Sequence, residues 1–499
     1  MNDLDMWNYL LEDSRRLASV EVLRIGVAYE SWIRWKTVPP LPGNLTHTVS
    51  NPIDLIRTAL QGMKNLREVS WDDVTYPRRF EEFGPHERAF WDLMPRVCHG
   101  VQVVNLSLPF WADADECWYC TPRLSELHRL NELRVFRANL LSCNHELQGL
   151  EDSQAKGIQS RLFATFSRIE ELCLVLSRVP ALPELHLPLL KELKLLGVEF
   201  EEPDGPLQLL KASPQLRSFH LETRELGTNA PYFEIMGVAS GSGVVPLLES
   251  FTGCWEDLLF LGFNPLTDGT FRKLSQVNIL NSDRNDRGDS GELTVDVVSK
   301  VLTDFHHEIG INLRYLAISM TVQRPESSRT QEPDLLWATW LSRIAMACPR
   351  LRGLVINAED DRTAPEEFRD ETDGWKSILS HLQELVVLQL PHVIWQADVD
   401  DAGTMGAALR LAAEQCVEWL PKIRLLFTPG KLALVVNDVC DAEIILEGGK
   451  LLDHGRTMAR TWSLHADAPV KGLHGIVAEL IPLRITAEAA AWLASEGWP

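Results

Sequence analysis

A short pattern of apolar residues recurs along the chain and limits the folds that the chain can adopt. Each copy contains an apolar residue, two variable residues, a second apolar residue, one variable residue and a third apolar residue. The most regular copies begin at Leu190, Leu216, Leu313 and Leu351. Looser copies begin at Val20, Leu66, Val101, Leu130, Ile169, Leu248, Leu274, Leu385 and Leu420. The thirteen copies start about 33 residues apart on average, which is typical of solenoid repeats.

The pattern predicts a strand in each copy and a helix between copies. The last three apolar positions alternate as the buried face of a strand does. Before the copy at Leu66, Asn51 and Pro52 fit a helix start, and apolar residues recur at helical spacing up to Met63. A similar segment begins at Pro333 and is stopped by Pro349. Helices that join strands of one sheet require parallel strands. We therefore predict an α/β solenoid with a parallel sheet on its concave face and helices on its convex face.

This pattern resembles that of leucine-rich-repeat proteins. The ends of the predicted helices at 345–351 and 211–216 are similar to those of the F-box leucine-rich-repeat class, and the irregular spacing is similar to that of fungal F-box-like families. The resemblance implies a repeat domain that captures a substrate and an F-box that binds the Skp1 adaptor of a ubiquitin ligase. Nineteen residues precede the first copy, and no F-box is recognisable in them. We expect a Skp1-type adaptor to bind only if an F-box is supplied elsewhere.

The repeats define three segments. Although 499 residues suggest about three domains by length alone, the repeats predict one solenoid over 20–430. Residues 1–19 are expected to form an N-terminal cap. Residues 431–499 are predicted to contain strands at 432–436 and 443–446 and a helix at 487–494. We interpret this last segment as a C-terminal cap, with a small separate domain as the alternative.

Composition and sequence features argue against nucleic-acid partners, membrane association and an oxidising compartment. The formal net charge is −22, so nucleic acid is not expected as a partner. No signal peptide and no charge-free apolar run long enough to cross a bilayer are recognisable, so no membrane association is expected. Nine scattered cysteines suit reduced thiols better than a disulfide framework. These features predict a soluble protein of the cytoplasm or nucleus.

No local motif indicates catalysis or a cofactor. His86, His145 and His307 each precede a glutamate, but none has the second histidine that a zinc protease helix requires. Cys117 and Cys120 have the spacing of two zinc ligands, yet no second such pair exists. No phosphate-binding loop is present. We therefore expect that the chain is not an enzyme and binds neither a metal ion nor a cofactor. The open alternative is an enzyme whose site is assembled from distant residues in 431–499.

The expected binding surface is the concave face. The residue between the second and third apolar positions of each copy points away from the core, and these residues form a row without any acidic side chain. Arg134, Lys194 and His220 fall close together in this row, and Asn278 lies further along it. We predict that these residues contact a protein partner, through an acidic or phosphorylated segment. The alternative is that the row reflects chance and the low strand propensity of Asp and Glu.

Two tryptophans are further candidates for partner binding. Trp111 and Trp395 each follow a predicted strand, which places them in loops on the same edge of the solenoid. Packing beneath the loop is the alternative interpretation. Taken together, the sequence predicts a non-catalytic protein-interaction module that resembles the substrate-recognition domain of an F-box ubiquitin-ligase subunit. A free-standing scaffold or inhibitor is the alternative.

Overall fold

The computed structural model divides the chain into two compact units. The N-terminal unit comprises Met1–Leu226 and Val244–Leu247, and the C-terminal unit comprises Gly227–Gly243 and Leu248–Pro499. The structure describes residues 9–26, 52–72, 85–110, 127–142, 166–175, 178–179, 186–196, 199–200, 205–222, 244–262, 266, 272–280, 310–321, 342–359, 379–389, 419–423, 425–427, 433–436, 446–447, 461–464 and 475–479.

The N-terminal unit is built on a parallel sheet. Its strands, each paired with the next, are β1 (Val22–Gly26), β2 (Glu68–Asp72), β3 (Val103–Phe110), β4 (Val135–Ser142), β5 (Glu171–Val175), β7 (Glu192–Leu196) and β9 (Ser218–Glu222). The short strands β6 (Arg178–Val179) and β8 (Glu199–Phe200) form a separate parallel pair. The helices are α1 (Ser14–Ala18), α2 (Pro52–Gly62), α3 (Pro85–Val97) and α4 (Gly205–Lys211), with 3₁₀ turns at Leu127–Arg129 and Phe166–Arg168.

Each repeat enters its strand through the same turn. The N–H of the first apolar residue donates to the carbonyl three residues earlier, as Leu66 does to Met63 at 3.3 Å and Leu190 to Leu187 at 3.2 Å. The apolar positions of the pattern then fill the core, where Leu190 and Leu193 have no exposed surface. Burial of a leucine contributes roughly 1.5–3 kcal/mol, so stacking these positions is the main stabilising contribution to the unit.

The C-terminal unit also begins with parallel strands. Its successive strands are β10 (Ser250–Gly253), β11 (Gln276–Ile279), β12 (Tyr315–Thr321), β13 (Gly353–Glu359), β14 (Val387–Gln389) and β15 (Leu425–Phe427). Helix α5 (Trp255–Gly262) follows β10, and residues 342–347 are helical before β13. The helix predicted from Pro333 is therefore observed over its described part.

Beyond β15 the pairing becomes antiparallel. Strand β16 (Ala433–Val436) pairs with β15 and with β19 (Gly475–Glu479), while β18 (Thr461–Leu464) pairs with β17 (Leu446–Glu447) and β19. The predicted strand at 432–436 corresponds to β16, and the one at 443–446 overlaps β17 at a single residue. The helix predicted at 487–494 lies outside the described residues. The capping roles of 1–19 and 431–499 stay predictions.

Both units have the fold predicted from the repeat. Parallel strands alternate with helices or helical turns, and the apolar pattern forms the core between them. The chain is thus an α/β protein of the leucine-rich-repeat solenoid type. Among the described residues, no helix has the length and apolar character needed to cross a bilayer.

Candidate functional site on the concave face

The strand register of the N-terminal unit aligns one side chain per strand on the concave face. These side chains, which we call the central row, belong to Arg24, Ser70, Asn105, Arg137, Cys173, Lys194 and His220. The neighbours of a row residue face the core, as Leu172 and Leu174 do on either side of Cys173. In the N-terminal unit the predicted row is observed with one change in its membership.

Arg134 was expected in the row, but the register places Arg137 there. Arg137 lies opposite Asn105 of β3 and Cys173 of β5. Arg134 lies before β4, and its guanidinium pairs with Glu170 at 3.1 Å. The prediction was wrong by three residues because Leu130 begins one copy of the apolar pattern and Leu133 begins an overlapping one. The same shift of three residues occurs in the last repeat, where the register aligns Phe427 with Gln389 instead of residue 424.

A second row, two residues earlier in each strand, carries carboxylates that pair with the central row. We call this the flanking row. Glu171 accepts two hydrogen bonds from Arg137, at 2.5 Å from Nε and 2.8 Å from Nη2. This bidentate hydrogen bonding raises the pKa of the Arg137 guanidinium above its ordinary value. Lys194 Nζ lies 2.7 Å from Glu192 Oε1. The positive charges expected from sequence are therefore matched by neighbouring negative ones.

Polar side chains connect four of the strands. Ser70 Oγ donates to Glu68 Oε1 at 3.2 Å, and Asn105 Nδ2 donates to Ser70 Oγ at 2.9 Å. Arg137 Nη1 donates to Asn105 Oδ1 at 3.3 Å and continues the chain to Glu171. These bonds hold the side chains of β2, β3, β4 and β5 in one arrangement. Because these side chains are already ordered, they lose less conformational entropy when a partner binds than mobile side chains would.

The structure buries the predicted site residue His220. Its side chain lies in the central row at 7% exposure, and Nε2 is 4.0 Å from Glu222 Oε2. Sequence reasoning placed His220 on an open groove, and that expectation of exposure is wrong. Burial in the folded chain makes His220 unavailable to a partner in this arrangement.

Cys173 lies between Arg137 and Lys194 in the row but does not supply a nucleophile. It is half-buried, and burial raises the pKa of its thiol to about 11. Burial likewise raises the pKa of Cys98 and Cys348 to about 12. These thiols are protonated near neutral pH and therefore unreactive. Within the described ranges, no group of three or more His, Cys, Asp or Glu residues could hold a metal ion.

The C-terminal unit has a row of its own, in which polar and apolar residues are mixed. Asn278 lies in register with Thr252 and Ala317, as predicted, and is half-buried. Ala317 and the next row residue, Val355, are only 2% and 4% exposed. Ala317 and Val355 therefore offer little surface to a partner. Trp111 and Trp395 lie outside the described residues.

Comparison with known proteins gives similarity of fold only. No family model matches the chain, and no curated protein matches it. A chain in the crystal structure of the yeast Rad7 and Elc1 complex is 13% identical, with 75% of this chain and 72% of that chain covered and a TM-score of 0.33. A chain of the TLR13–ssRNA13 complex is 13% identical over 68% of this chain and 36% of that chain, with a TM-score of 0.26. A chain of the Drosophila Toll–Spatzle complex is 9% identical over 75% and 50%, with a TM-score of 0.24.

Proposed function

We propose that the chain is a non-catalytic protein-interaction module and that its partner contacts the concave face of the N-terminal unit. The observation that carries this proposal is the hydrogen-bonded central row, which presents fixed polar side chains across neighbouring parallel strands. A rigid row of this kind suits the recognition of a second surface.

The matched charges favour a partner segment that is polar or carries both signs. An acidic or phosphorylated segment, which the sequence suggested, would have to displace Glu171 from Arg137 and Glu192 from Lys194. Bidentate pairs such as Arg137–Glu171 are among the stronger exposed ion pairs, so this displacement is costly. The central row therefore supports mixed polar contacts better than the capture of a polyanion.

The face is too small to hold a stable partner alone. Seven strands spaced about 4.8 Å apart and about five residues long give a face of roughly 29 Å by 16 Å, or about 500 Å². A standard stable interface buries about 800 Å² on each partner. A partner must therefore also contact surface beside the two rows.

We also propose that the module recognises substrates for a ubiquitin ligase, as the resemblance to F-box leucine-rich-repeat proteins implies. A Skp1-type adaptor would then join through an F-box supplied by another segment or chain. A free-standing scaffold or inhibitor is the alternative, and recovery of partners other than Skp1 and cullin would favour it. An enzyme with a dispersed site in 431–499 is the second alternative.

Affinity purification of the full chain with quantitative mass spectrometry tests the binding proposal. The test variant is Arg137→Ala with Lys194→Ala, and the matched control is Arg57→Ala on α2. Arg57 pairs with Asp54 and is 48% exposed, close to the 46% of Arg137. We expect the test variant to reduce recovery of the specific partner at least about tenfold, because interface arginines contribute more than 1.4 kcal/mol where they are hot spots. Unchanged recovery with the test variant, at equal expression and circular dichroism, would contradict the proposal.

A further inference from the structure

A basic surface borders the sheet of the N-terminal unit where the chain enters each strand. We call it the strand-entry rim, and it consists of residues 18–21, 63–67, 98–102, 127–134, 166–170, 186–191 and 211–217. It carries eight lysines and arginines, three glutamates and no aspartate. All eight basic side chains are exposed. A rim with this excess of positive charge stands out in a chain whose net charge is −22.

Backbone hydrogen bonds hold the rim in regular order. In each repeat, the residue after the first apolar position donates its N–H to the carbonyl of its counterpart in the preceding repeat, at 2.7–2.8 Å. The residues aligned in this way are Glu21, Arg67, Gln102, Arg134, Glu170, Lys191 and Arg217, of which four are basic and two are acidic. Neighbouring members are therefore about one strand spacing apart, roughly 4.8 Å, so their charges act together on an extended segment.

The carboxylates of the rim do not neutralise it. Glu170 pairs with both Arg134 and Lys191, which lowers the pKa of its carboxyl group, chiefly through the hydrogen bond from Lys191. Lys64 and Arg67, in contrast, make no ion pair among the described residues. Glu132 pairs with Arg168 at 3.7 Å. Three glutamates against eight basic side chains leave the rim with an excess of positive charge.

Helix ends explain only part of this charge. Lys211 is the last residue of α4, and Lys64 closely follows α2, so both favourably meet the negative end of a helix dipole. That effect fades within one helical turn. Arg67, Arg134 and Lys191 lie at the strand starts, more than one turn from a helix end. The helix dipole therefore does not explain the positive charge at these positions.

We propose that the strand-entry rim binds an acidic segment of a protein partner. This inference rests on the proposed function and supplies the contact surface that the concave face lacks. Charges are screened over about 8 Å in physiological salt, so a short acidic segment responds to the rim and not to the net charge of −22. A long nucleic acid extends beyond the rim and is repelled by the acidic remainder of the chain.

Fluorescence anisotropy with a fluorescein-labelled 15-residue polyglutamate peptide tests the inference on the full chain. The rim variant is Arg67→Glu with Lys211→Glu, and the control is Arg15→Glu with Arg57→Glu, which changes the net charge equally at exposed positions outside the rim. We expect the rim variant to weaken peptide binding at least about tenfold and the control to change it less than twofold, because exposed pairs contribute up to about 1 kcal/mol each. Equal losses in both variants, or none in either, would overturn the inference.

Two further measurements separate this inference from the proposed function. A 15-nucleotide single-stranded DNA that binds the rim more tightly than polyglutamate would overturn the inference in favour of a nucleic-acid surface. In the affinity purification, normal partner recovery with the rim variant, together with loss in the Arg137→Ala, Lys194→Ala variant, would refute the rim and retain the concave face. Normal recovery with the latter variant would refute the proposed function itself.

Discussion

Replacing Phe136 with alanine should weaken the N-terminal unit at β4. The ring of Phe136 is 1% exposed, and its centroid lies 5.2 Å from that of Phe166. Truncation of a buried phenylalanine costs about 3–5 kcal/mol, because apolar contact is lost and a cavity remains. In a solenoid each repeat contacts mainly its neighbours, so this cost should appear locally in β4 and β5.

Hydrogen exchange followed by mass spectrometry measures this local cost. Where exchange reports the opening equilibrium, about 3–5 kcal/mol corresponds to exchange roughly 100- to 4,000-fold faster in peptides from β4 and β5. Peptides from β1 should be unchanged. The matched control is Val135→Ala in the same strand, where the side chain is half-buried on the flanking row and its truncation should cost about 1 kcal/mol or less.

The comparison of the two variants decides the register. In the observed register Phe136 is a core position, whereas a repeat that began at Leu130 would place Val135 in the core instead. Faster exchange with Val135→Ala than with Phe136→Ala would therefore refute the alignment of Arg137 with the central row. Equal exchange in both variants would refute it as well.

Three other substitutions or modifications test separate features. Gly310→Ala should destabilise the C-terminal unit by about 1–3 kcal/mol, because a Cβ at this position would overlap the backbone carbonyl of Ala347. The control is Gly100→Ala, whose Cβ would lie 3.7 Å from the carbonyl oxygen of Leu66 and which should change the thermal midpoint little. The buried thiol of Cys348, with a pKa of about 12, should resist iodoacetamide at pH 8 until denaturant is added. Modification of Cys348 in the native chain, located by peptide mass spectrometry, would contradict this. The pKa of Glu170 is lowered in the folded chain, so its stabilising effect is present above the ordinary carboxyl pKa and is lost as pH falls through the folded value. The difference in thermal midpoint between wild type and Glu170→Gln should therefore vanish at low pH, and a pH-independent difference would refute the pairing.

The fold follows from the sequence because each repeat carries its own local signals. The proline and apolar spacing that predict a helix from Pro52 correspond to α2, and alternation in the pattern predicts the strands. The register of β4 could not be predicted in this way. Leu130, Leu133 and Phe136 are three residues apart, so two overlapping copies of the pattern fit equally well. Pairing with β3, which aligns Arg137 with Asn105, selects one of them.

The central row was only partly predictable for the same kind of reason. Alternation along a strand indicates which residues share a face, but it does not show which of them pair across strands. Arg137 and Glu171 are 34 residues apart in sequence and meet only because β4 and β5 align. The burial of His220 also depends on tertiary packing. The sequence pattern therefore indicates which residues share the concave face, but it overestimates the positive charge that is open there.

Photo-crosslinking in cells tests whether a protein binds the concave face of the N-terminal unit. Benzoylphenylalanine is placed at Ser70 in the central row or at Thr58, an exposed residue of α2. After irradiation we expect a discrete protein adduct from Ser70 and only background from Thr58. An adduct from Thr58 as strong as that from Ser70, or adducts from neither position while the partner still co-purifies, would contradict the claim.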